Sequence, residues 1–144
     1  MENEKINAHA LNEMFQNAHI AMQSISNLSP EVKDNDVKEE LLTEYDQYEK
    51  FIGELSAYMT QKGLKPEDIG VMKKAMLWGS IKMKTLTGAD KSKVADMMIK
   101  GATMGITELT SLKNDGNMSE ETSSLLDKLL EIEESSIKRL KEFL

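Results

Sequence analysis

Between Ile6 and Leu28 the apolar residues Leu11, Met14, Phe15, Ala18, Ala21, Met22, Ile25 and Leu28 recur every three or four positions. That spacing places them on one face of a helix and on no face of a strand. The same period returns along most of the chain. Val37, Leu41, Tyr45, Tyr48, Phe51, Ile52, Leu55, Tyr58 and Met59 form a second stripe, and Val94, Met98, Ala102, Gly105, Ile106, Leu109 and Leu112 another. Leu125, Leu126, Leu129, Leu130, Ile132, Ile137, Leu140 and Phe143 complete the set. Four one-sided helices must bury their stripes against one another, so the expected fold is an all-α antiparallel bundle.

Local signals set the expected boundaries. Ser29-Pro30-Glu31 offers a cap, a proline at the first helical position and an early acid, which predicts a second helix from about Glu31 to Lys62, closed by Gly63. Pro66-Glu67-Asp68 opens a shorter crossover helix with Ile69, Met72, Ala75, Met76 and Met83, ending near Thr87-Gly88. Asp90 caps the next helix, Asn114-Asp115-Gly116-Asn117 makes a turn, and Ser119-Glu120-Glu121 starts the last.

With 144 residues the chain suits one hydrophobic core, and a single domain over 1–144 is expected. There is no cysteine, which excludes disulfides, thiolate metal sites and cysteine nucleophiles. The formal charge of −7 argues against nucleic-acid binding, which needs a basic face. The polar start Met1-Glu2-Asn3-Glu4-Lys5 leads into no signal-like apolar run, so a cytoplasmic location is the expectation.

Shifting the first helix by 84 residues lays Gln16 to Met22 over Lys100 to Ile106 with their apolar faces in phase, and a similar shift relates Leu41-Leu42 to Leu125-Leu126. The chain then reads as two similar hairpins joined by a crossover. In this layout it resembles the ferritin-like four-helix bundles over essentially its whole length. Leu11-Asn12-Glu13, Leu41-Leu42 and Glu54-Leu55 are similar to a group of small uncharacterised bacterial ferritin-like proteins, and Tyr58 to Gly63 is similar to a segment of the spore-coat protein F family. The resemblance implies the fold, a di-iron centre where the ligands are present, and association with a coat as a further function.

The ligands depart from that pattern. Ferritin-like di-iron centres take carboxylates from all four helices and a Glu-x-x-His from two of them. This sequence contains no Glu-x-x-His, and both histidines, His9 and His19, fall on the first helix. Glu44 and Glu133 are the convincing inward acids, while Ala18, Ala21, Ala102 and Gly105 occupy the central positions of the facing helices. Glu44 and Glu133 read either as a degenerate metal site or, favoured here, as acids at the stripe margin bonded to Tyr45, Tyr48, Tyr58 or Ser136. His19 reads as a boundary residue. Gly101-Ala102-Thr103-Met104-Gly105 lies inside a helical pattern and suits close helix approach better than a ligand loop.

No phosphate loop, nucleophile elbow or triad occurs. The expected function is thus a non-catalytic ferritin-like structural or interaction protein with no cofactor. A metal-binding or redox protein centred on Glu44 and Glu133 and a membrane- or spore-coat-associated protein are the alternatives. The segment 73–100 carries seven lysines against Asp90 and Asp96, together with Trp78 and several methionines. It could face an anionic membrane or an acidic partner, or simply be solvated. Val71, Trp78 and Ile81 exceed what one bundle contact covers, which predicts a homodimer through this helix.

Overall fold

The computed structural model describes residues 2–66 and 90–144. Among them there are four long helices and no strand: α1 (Glu2–Leu28), α2 (Asn35–Gln61), α3 (Lys91–Asp115) and α4 (Glu120–Leu140). The crossover helix expected near Pro66–Thr87, with Val71, Trp78, Ile81 and the lysines at 73–84, lies outside the described residues.

α2 starts later than its sequence suggested. Ser29–Glu31 forms a separate 3-10 turn, and Val32 leaves it in an extended conformation to bury its side chain. The cap is Asp34, whose Oδ1 accepts from the amides of Asp36 and Val37 at 3.0 and 3.1 Å. The carboxylate satisfies two orphan donors that Ser29 leaves untouched. Asp34→Ala should therefore cost about 1 kcal/mol in denaturant unfolding, with Ser29→Ala within experimental error of wild type.

The other boundaries follow the local chemistry. Gly63 takes φ +73°, and the amides of Gly63 and Leu64 return to the carbonyls of Thr60 and Met59, closing α2 with a Schellman motif. Asp90 accepts from the amide of Lys93, and Ser119 Oγ accepts from that of Thr122. Gly116 and Asn117 both adopt positive φ in the turn between α3 and α4.

Side-chain bonds between helices fix their directions. Lys128, early in α4, reaches Glu54, late in α2, while Arg139, late in α4, reaches Glu40, early in α2. These two helices are antiparallel. Asn7 Oδ1 accepts from the amide of Ser119 at the turn after α3, so the start of α1 lies beside the end of α3. It follows that α2 and α3 run parallel, with the end of α2 and the start of α3 at opposite ends of the bundle. This is the one-crossover arrangement of ferritin-like bundles rather than a simple up-and-down meander.

Leu11, Met14, Ala18 and Leu28 from α1 meet Val37, Leu41, Phe51, Leu55 and Met59 from α2 in the core, with Leu109 from α3 and Leu126, Leu129 and Leu140 from α4. The expected stripe members Tyr45, Ile52, Tyr58, Leu125 and Ile137 flank this core half-buried. Burial of each large apolar side chain contributes roughly 1.5–3 kcal/mol, which makes the stripes rather than the exposed ion pairs the source of the fold.

Candidate functional site

Halfway along the bundle the apolar layers are interrupted by acids. Glu44 of α2 is 2 % exposed and Glu133 of α4 is 1 % exposed. Both therefore lie at the centre of their stripes, not at the margin. Their helices bring them inward because each acid is in register with core residues one turn away, Leu41 and Tyr48 beside Glu44, Leu129 and Leu130 beside Glu133.

Both carboxyls sit beside a cavity of about 400 Å³ between α1 and α3. Ile20, Ala21, Ser24 and Ile25 form one wall and Met98, Gly101, Ala102, Met104 and Gly105 the other, with Glu13 and Glu108 toward one end and Glu44, Tyr48 and Glu133 at the back. Gly105 lets neighbouring helices pack against its backbone, as expected, while Gly101 and Ala102 also border the cavity. A Cβ on Gly105 would stand 2.5 Å from Glu133 Oε1 and 3.0 Å from Asn17 Nδ2, so the missing side chain admits two polar groups. The rest of the unused volume remains as the cavity.

Burial dominates the electrostatics. It pushes Glu133 up to about 8, aided by the negative charge of Glu108. It pushes Glu44 up to about 9, with the neighbouring Glu40 carboxyl adding to the rise and Ser136 and Arg139 opposing it. At neutral pH both glutamates are neutral acids. Tyr48, almost wholly buried against them, is raised as well, first by desolvation and then by Glu133 and Glu44.

Asn17 of α1 stands beside Glu133. Its Nδ2 donates to the carbonyl of Gly105 at 3.3 Å, which turns Oδ1 toward Glu133 to accept from the protonated carboxyl. With the amide turned over, Nδ2 lies 2.7 Å from Glu133 Oε1 and 3.2 Å from Oε2, the arrangement an ionised carboxylate requires. Glu44 has no such partner. Glu44 Oε2 and Ser136 Oγ are both buried with no hydrogen-bond partner.

Neither acid is bonded to a tyrosine hydroxyl, contrary to the favoured sequence reading. Tyr45 and Tyr58 are half-buried at the edge of the core, and the acids act on Tyr48 by raising it.

Glu40 is the inward acid that periodicity missed. It is 8 % exposed, one turn before Glu44, and accepts from Arg139 Nε at 2.8 and 3.0 Å while Arg139 Nη2 donates to Gln47. Only the pairing with a cation on another helix lets a carboxylate remain charged there. Its signal in the sequence was weak: an acid one turn from Glu44, with its arginine 99 positions away. Asn17, Glu13 and Glu108 were also missed. His19, half-buried, stacks at 4.4 Å on Phe15, and His9 is exposed; neither lines the cavity.

Residues 7–115 match the family described as Domain of unknown function (DUF2383). The chain belongs to the DUF2383 family. No curated protein and no solved structure matches it. The family match spans α1 to α3, and in this DUF2383 chain Glu133 and Arg139 come from the helix beyond it.

The residues present do not fit the di-iron group that the ferritin-like fold implies. Gln47 and Ser136 stand three positions after Glu44 and Glu133, where imidazoles would be needed. Asn17, Ala21, Ala102 and Gly105 face the acids from α1 and α3. Among the described residues, no three acids, histidines or cysteines stand close enough to share a metal ion. Among the same residues no helix is long and apolar enough to cross a membrane.

Proposed function

We propose that this chain is a non-catalytic ferritin-like interaction protein, cytoplasmic, whose central acids line a binding cavity in place of a di-iron centre. The observation that carries this reading is the spacing of acids around the cavity. Each helix contributes one, but Glu13 and Glu108 stand toward one end, and opposite the buried pair Glu44 and Glu133 the helices α1 and α3 present an amide and small residues. Two hard cations need oxygen ligands from every side, and among the described residues no three acids, histidines or cysteines stand close enough to share one.

A space of about 400 Å³ is, by contrast, the size of a small-molecule pocket. Self-association or partner binding would then be the protein's work, modulated by what the cavity holds. Elemental analysis tests the reading. Protein purified without chelators should carry well under one iron or manganese per chain. Stoichiometric metal that is lost in Glu44→Gln or Glu133→Gln would instead establish the metal-binding alternative.

A further inference from the structure

The cavity is lopsided in charge. Glu13, Glu44, Glu108 and Glu133 line it, and among the described residues no lysine, arginine or histidine does. Acids alone define no ligand, but the orientation of one of them does. Glu44 is 98 % buried, lines the cavity, and leaves Oε2 with no hydrogen-bond partner. A buried polar atom without a partner costs about 1–3 kcal/mol, and the cavity that its side chain lines is large enough to hold a guest. Once Glu44 is ionised, only a guest that donates hydrogen bonds satisfies it.

Shape narrows the class. Along α1 the lining runs from Glu13 to Ile25, twelve residues or about 18 Å of helix. Apolar side chains, Ile20, Ala21, Met98 and Ala102 among them, share this slot with the acids. A hydrated metal ion would leave most of the slot empty and would gain nothing from those side chains. An organic anion would meet acids and, among the described residues, no cation. A linear chain of methylenes with ammonium groups fits both features, since each ammonium brings hydrogen-bond donors and charge to an acid and each methylene covers apolar wall.

Resting on the reading of this site as a binding cavity, we infer that it binds a linear aliphatic di- or polyamine, with Glu44 and Glu133 receiving ammonium groups in the interior. The free protein holds the two acids neutral, so the amine must displace their protons. The groups bearing on them are Glu13 from α1, Glu40 and Tyr48 from α2, Glu108 from α3 and Arg139 from α4. Glu40 and Glu108 oppose the ionised acids and Arg139 favours them, and the arriving cation replaces the repulsion with attraction. Binding therefore tightens as pH rises from 6 toward 8.5 and releases protons to the buffer.

Titration calorimetry of the full chain with spermidine and with 1,5-diaminopentane, at 150 mM salt and in two buffers of different protonation enthalpy, tests the inference. One saturable site per chain is expected, with buffer-dependent heat that reports proton release and affinity at least tenfold higher at pH 8.5 than at pH 6. Glu133→Gln and Glu44→Gln, which mimic the neutral acids and preserve the fold, should each weaken binding tenfold or more. Ala102→Leu should weaken it by filling the slot, and the exposed Glu49→Gln should leave it unchanged.

Binding that Glu49→Gln lowers as much as Glu133→Gln would be adhesion to an acidic surface and would overturn the site. So would the lack of saturable heat at millimolar amine. If the protein in that experiment is free of metal, failure removes the amine alone, whereas metal held by Glu44 and Glu133 removes the reading of the cavity itself.

Discussion

Stability should fall as pH rises from 5 to 9, and the fall should vanish in the double variant Glu44→Gln/Glu133→Gln. In the unfolded chain both glutamates ionise near 4.5, whereas in the folded protein they keep their protons to about 9 and about 8. Burial is the first cause in both cases. Below pH 4.5 folded and unfolded states hold the same protons at these sites, so the pair contributes no penalty. Between that value and the folded values the native state binds more protons than the unfolded one, and stability declines with pH.

Each such proton gives a slope approaching 1.4 kcal/mol per pH unit, so across this window each acid represents a loss on the order of 5 kcal/mol. Above pH 9 both states are ionised and the decline stops. Glutamine keeps the shape and neutrality of the protonated acid, so the double variant should be more stable than wild type at pH 8 and nearly equal at pH 4.5. Urea unfolding of both proteins at half-unit pH intervals measures the difference. Parallel curves across the whole range would show that the acids ionise without cost and that the interior is more polar than its packing indicates.

Leu41→Ala should remove about 2–5 kcal/mol of stability, and Leu42→Ala less than about 0.5. The two leucines are adjacent in sequence and indistinguishable by composition. Leu41 is fully buried on the inner face of α2, while Leu42 is 63 % exposed. Truncating the first loses transfer energy and leaves a void between packed helices; truncating the second does neither. With a total stability for such a domain on the order of 5–15 kcal/mol, the first change moves the urea midpoint far more than the second. A comparable loss from both would mean that the Leu42 face is covered, as it would be in an association through the outer face of α2.

The cluster of Glu40, Glu44, Ser136 and Arg139 shows why charge was hard to read from the sequence. Helical period alone marked Glu44 and Glu133 as inward, since the 100° step places them among leucines whatever the neighbouring helix contains. Glu40 lies on nearly the same line and was passed over, because its burial depends on a cation that arrives from another helix 99 residues away. The cavity was invisible for a similar reason. Ala21, Ala102 and Gly105 signal only that little side-chain volume is present. Whether the helices then close together or stay apart is decided by the larger residues elsewhere on the same interface.

Local sequence thus determined what local energetics control. The apolar stripes, the caps at Asp90 and Ser119, the left-handed Gly63 and the turn at Gly116-Asn117 depend on residues within a few positions of one another, and each was legible in the chain. The start of α2 was misplaced by a local competition: Pro30 favours a turn that Val32 ends by burying itself, which leaves the cap to Asp34. Tertiary structure alone decided that Glu44 Oε2 has no partner while Asn17 stands beside Glu133, and that Gly101 and Ala102 border open space. Those outcomes follow from the relative placement of whole helices, where burial removes water as a partner and a carboxyl must be protonated, paired or supplied with a ligand.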